Sequence, residues 1–172
     1  VLSAGHTVPL LYGSLAVLGL LVWRWSRGLF GEAGGLLSLV LYTFNPATLA
    51  NGALITTDMA ASLFFLATVG TLWRVLHRVS AGNVVLSSLA LAGLLLSKTS
   101  ALLILPMAGV LMLVRLVSGR PTTAALRRAV EIRSRLGQAG VWLVAAIGHA
   151  VIAAIVIWGV YGFRYPAMRD GE

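Results

Sequence analysis

An all-α, polytopic transmembrane bundle of about six spans is the fold this sequence predicts, and three observations carry that reading. Of its 172 residues, 59% are hydrophobic. Only 10% are Asp, Glu, Lys or Arg, where a soluble domain carries about a quarter. Apolar runs recur near the roughly 17–25 residues that a helix needs to cross a bilayer. Residues 1–172 read as a single transmembrane domain with no internal repeat. Cysteine is absent, which excludes disulfides and thiolate metal sites.

The first span covers about 8–23. No basic residue precedes it, which argues against a signal peptide. The chain opens on Val1 and reads as a fragment whose start lies upstream. After the connection WRWSRGLFGEA comes a second span, 34–50, which Asn45-Pro46 should bend or end near its outer face. A third, 59–76, follows NGALITTD. The fourth, 84–97, is short: it rises only about 21 Å against a hydrocarbon thickness of roughly 30 Å. Joined to the fifth, 100–117, it would make a 34-residue helix, too long for one crossing, so SKTS reads as a tight hairpin. The sixth, 140–161, comes after a long basic connection, 118–139. Within that connection, 121–138 reads equally as a basic helix on the membrane surface or as a solvated loop.

The basic residues sort by side. Taking alternate connections as one face, Arg24, Arg27, Arg74, Arg78, Arg115, Arg120, Arg127, Arg128, Arg133 and Arg135 fall together, ten of the thirteen. Lys98, Arg164 and Arg169 fall on the other. Lys and Arg are retained on the cytoplasmic side during insertion. The ten-arginine face is therefore inside, and the net charge of +8 is an orientation signal more than a nucleic-acid footprint.

On that topology the outer side collects the polar residues that can do chemistry. Asp58 is the single acidic residue between Glu32 and Glu131, at the start of the third span. It suits a helix cap or first turn and keeps a free oxygen edge for a substrate hydroxyl, a metal or a cation. Lys98 sits in the SKTS hairpin, where it can snorkel to the surface or pair with a phosphate or a carboxylate. Arg164, in YGFRY, suits either an interfacial anchor or paired hydrogen bonds to phosphate. His6 lies outside the first span, within possible reach of Asp58, and His149 lies mid-span, where an interhelical hydrogen bond is the ordinary role. No phosphate-binding glycine loop, zinc-protease or serine-nucleophile motif occurs.

The run RGLFGEAGGLLSLVLYTFNPATLANGALITTDMAASLFF, with LAGLLLSKTSALLILP and WGVYGFRY, resembles polyprenyl-phosphate-sugar glycosyltransferases of the GT-C fold. The pattern is most similar to bacterial protein O-mannosyltransferase and lipid A aminoarabinose transferase members, over about residues 5–166. The resemblance implies an enzyme that moves a sugar from a polyprenyl-phosphate donor to a hydroxyl of a lipid, glycan or protein. Transfer would occur at the outer face of a bacterial inner membrane, with inversion at the anomeric carbon. It implies that Asp58 stands for the second acidic position of the family and organises the acceptor, a metal or the base, while Lys98 and Arg164 neutralise the donor phosphate. His6 joins them as a substrate-binding candidate. The principal catalytic carboxylate of the family belongs to a loop upstream of Val1, so the fragment alone is expected to be inactive. The resemblance requires no cofactor beyond, at most, a divalent metal of undetermined ligands; the expected partners are donor, acceptor and membrane lipids, not nucleic acid. A transporter or flippase of lipid-linked or small anionic substrates is the competing reading, since it too explains outer cations and a broken hairpin.

Overall fold

The computed structural model describes residues 4–53, 58–125 and 129–162, with side chains from Tyr12 onward except at 51–53. The chain divides into two compact units, Val1–Gly70 with Gly93–Ala108, and Thr71–Ala92 with Gly109–Glu172. Six α-helices run in chain order: α1 (Ala4–Thr43), α2 (Pro46–Ala53), α3 (Asp58–His77), α4 (Ala81–Ser97), α5 (Ile104–Val117) and α6 (Arg135–Val160). The six predicted runs are mostly helical, but the second, 34–50, is broken at Phe44–Asn45 and the fifth, 100–117, opens in a 3₁₀ turn. Among the described residues, three stretches are long and apolar enough to cross a membrane: Asp58–His77, Thr99–Val117 and Arg135–Val160. The helix α4 is apolar but shorter.

In the first unit, α1 folds back on itself. Gly31 holds φ 76° and ψ −171°, a region essentially closed to any residue with a Cβ. The expected connection WRWSRGLFGEA is thus a sharp bend at one of its glycines, Gly31, with helix on either side. The arms meet closely: Tyr42 donates its hydroxyl to the Leu15 carbonyl at 2.9 Å. A Cβ on Gly19 would lie 3.0 Å from the Tyr42 ring. Arg27 bonds Glu32 across the bend and stacks 5.0 Å over Trp23. The second arm ends at Thr43, just before Asn45-Pro46 as expected, and Pro46 opens a separate short helix, α2, part of which the expected span 34–50 includes. Asn45 caps α2: its side-chain oxygen accepts from Ala47 N at 2.9 Å, and its carbonyl from Leu49 N at 3.0 Å.

The second unit corrects the purely helical expectation. It carries a three-stranded sheet of β1 (Arg78–Val79), β2 (Thr122–Ala125) and β3 (Ala129–Ile132). The strands β1 and β2 are parallel, with Arg78 opposite Thr123. The pair β2 and β3 is antiparallel, from Thr122 opposite Ile132 to Ala125 opposite Ala129. The described residues of 121–138, which leave out 126–128, are therefore neither surface helix nor open loop but a pair of antiparallel strands leading into α6. That helix starts at Arg135, five residues before the expected span, because Ser134 caps it by accepting from Gly137 N at 3.1 Å.

Buried donors hold the hairpin to the helix ends. Gln138, 2% exposed, donates from Nε2 to the carbonyls of Arg120 and Ile132, both at 3.0 Å. It thereby spans the hairpin from its entrance to its exit. Thr122 donates to the Leu76 carbonyl at 3.1 Å, and Arg115 to the Pro121 carbonyl at 2.8 Å. The carbonyls at the end of a helix have no partner within it, so Thr122 satisfies one that α3 leaves open. Beneath the sheet, Val75, Leu76, Val79, Trp142 and Ala145 form the apolar core, with Leu111, Met112, Leu116 and Val141 packed against them.

Candidate functional site

The site begins with a break between helices. After Ser97 the backbone of Lys98 is extended, φ −161° and ψ 145°, before a single 3₁₀ turn, Thr99–Leu103, leads into α5. The Lys98 carbonyl accepts from Ala101 N at 3.0 Å, which starts that turn. Ser97 closes the last turn of α4 by donating to the Gly93 carbonyl at 2.6 Å. Gly93 also leaves room for Phe64 of α3: a Cβ there would stand 2.4 Å from the Phe64 ring. This close approach brings the end of α4 against the start of α3.

The result is an ion pair. Lys98 Nζ lies 2.5 Å from Asp58 Oδ1, joining two residues 40 apart in the chain. Both side chains remain about half exposed, at 48% and 45%. Asp58 stands in the first turn of α3, where a carboxylate is favoured by the unpaired amides of the helix start. Its backbone carbonyl accepts from the Ser62 hydroxyl at 2.8 Å, and Asp58 lines a groove together with Lys98.

That groove has a volume of about 820 Å³. One wall is a helical stripe of α3, Asp58, Ala61, Ser62, Phe65, Leu66 and Val69, the spacing that places residues on one face. Trp25, Leu103 and Met107 complete an apolar trough, and Ser100 stands beside Lys98. Trp25 is set by packing on α3, since a Cβ on Gly70 would touch its ring at 3.5 Å. A charged pair at the head of an apolar trough suits an amphiphile: an anionic head beside the ammonium, an aliphatic chain along Phe65, Leu66 and Val69.

Of the residues singled out from the sequence, Asp58 and Lys98 come together. The backbone of His6 lies in α1, but its side chain is outside the described residues, as is the whole of Arg164. His149 is buried in α6, with Nδ1 2.6 Å from the Ala145 carbonyl and no partner at Nε2 among the described residues. It does not line the groove. Among the described residues no three His, Cys, Asp or Glu side chains gather to hold a metal ion. The sequence reading missed the trough itself, although the spacing 58, 61, 62, 65, 66, 69 in one helix was the signal that could have found it. Comparison with family models, curated proteins and solved structures finds no match.

Proposed function

We propose that this chain contributes the lipid-donor end of a membrane glycosyltransferase that moves a sugar from a polyprenyl phosphate to a hydroxyl acceptor. The observation that supports this most is the Asp58–Lys98 pair at the head of the apolar groove. A half-exposed ion pair is worth only about 0–1 kcal/mol, so an incoming phosphate can take the ammonium from the carboxylate at little cost. Lys98 then neutralises the charge that grows on the phosphate as the glycosidic bond breaks. The displaced Asp58 carboxylate becomes free to accept a hydrogen bond from the acceptor hydroxyl and orient it for attack. The trough meanwhile shelters the first isoprene units from water, each buried methylene adding about 0.8 kcal/mol. The six-span GT-C arrangement, the outer-face location and the role of Arg164 belong to the same proposal.

The test is sugar transfer from a polyprenyl-phosphate-linked sugar by the protein that carries this chain. Asp58→Asn, which keeps shape and removes charge, is expected to fold and to lose most of the rate. Full activity in that variant would leave Asp58 as a residue of the helix start and remove it from the chemistry.

A further inference from the structure

The second unit carries a surface that the groove does not use. Around the sheet, Arg74, Arg78, Arg120, Arg133 and Arg135 are all exposed. Among the described residues of this unit, Glu131 is the sole carboxylate, and it faces Arg133 at 3.5 Å. Exposed aliphatic side chains stand among these cations: Val117 at the end of α5, Val130 on β3 and Leu136 in the first turn of α6. The hairpin between them is fixed by Gln138, Thr122 and Arg115 through their bonds to backbone carbonyls. Arg78 lies in β1, Arg120 and Arg133 flank the β2–β3 pair, and Arg74 and Arg135 lie in the adjoining turns of α3 and α6, so the five gather at the ends of α3, α5 and α6, each the end of a candidate span.

We propose that this hairpin is a docking platform for the anionic headgroup layer of the membrane in which the chain sits. Arginine forks match phosphate oxygens in paired hydrogen bonds. Neighbouring Val117, Val130 and Leu136 suit the acyl boundary just below the headgroups, the mixed composition of interfacial segments. The position at helix ends favours lipid over a soluble polyanion, because the surface lies where a bilayer interface must meet those helices. Folding of this segment matters, since a fixed backbone does not have to be ordered again on each encounter with a headgroup.

The experiment is native mass spectrometry of the full chain released from nonionic detergent, with phosphatidylglycerol or phosphatidylcholine added at equal concentration. The chain is expected to retain phosphatidylglycerol in at least tenfold preference, and rising salt should erode that preference. Removing three arginines as Arg120→Gln, Arg133→Gln and Arg135→Gln should bring it down toward equal retention of the two lipids, each arginine contributing up to about fivefold. The matching lysine triple should keep most of it, and separates lost charge from lost fold. Inorganic phosphate at the same concentration should not displace the lipid. Equal retention of the two lipids by the unmodified chain, or efficient competition by free phosphate or a polyglutamate peptide, would overturn the proposal.

Discussion

The groove and the hairpin frame use polar side chains in opposite ways. At the groove, Asp58 and Lys98 carry full charges, remain half exposed and bond to each other. In the frame, Gln138 and Thr122 are neutral, almost fully buried and bond to backbone carbonyls. A buried donor that satisfies a buried carbonyl is hard to remove, because the orphaned group carries its full desolvation cost. An exposed ion pair is easy to break, because water and ions replace each partner. The frame is thereby built to persist, and the groove is built to exchange.

The largest expected effect is in the frame. Trp142 is 3% exposed in the core with Val75, Leu76 and Val79. Trp142→Ala should cost about 3–5 kcal/mol, read as a fall in the thermal midpoint of the purified chain. Trp142→Phe should cost far less, since the indole N–H has no partner among the described residues. Equal losses in both variants would mean that the N–H is bonded after all. Next comes Gln138→Leu, which leaves the carbonyls of Arg120 and Ile132 without their donor. A buried unsatisfied group costs about 1–3 kcal/mol, and both bonds are only part-buried, so the expected loss for the two is roughly 2–4 kcal/mol, with faster amide exchange confined to β2 and β3. Exchange that stays slow in the hairpin would show that the sheet stands without its clamp.

In the groove unit the same measurements should give smaller numbers. Gly31→Ala forces a Cβ into the φ 76°, ψ −171° bend and should cost about 1–3 kcal/mol. No change in midpoint would mean that the two arms of α1 can turn by another route. Asp58→Asn should shift stability by less than about 1 kcal/mol. A loss as large as that of Gln138→Leu would place the ion pair with the structural elements and end the contrast.

How far the sequence revealed these two regions depended on the range of the interactions. The helices were legible because apolar runs act locally, and Asn45-Pro46 marked a real helix start. Asp58 and Lys98 stood out as rare charges in apolar surroundings. Their pairing was not legible, because it depends on how closely α3 and α4 approach, which Gly93 and Phe64 decide. The hairpin was missed for a related reason. Its strands TTAA and AVEI are short and flank LRR, a run of good helix formers. What makes them strands is non-local: β2 pairs with Arg78–Val79, more than forty residues earlier. Gln138 lay unremarked in the basic connection 118–139, since nothing nearby in sequence shows that it bonds to both Arg120 and Ile132.

In the proposed function, Asp58 holds Lys98 in reserve for a phosphate. The most direct test is the dissociation constant of a polyprenyl phosphate for the 172-residue chain and two variants, by titration calorimetry in detergent. Lys98→Gln should weaken binding about ten- to a hundredfold, the loss of one charge-assisted contact. Asp58→Asn should instead tighten it several-fold, because the competing carboxylate is gone and the ammonium is free. Weakening in both variants, or no change in either, would contradict the claim and leave the pair as a fixed link between α3 and α4.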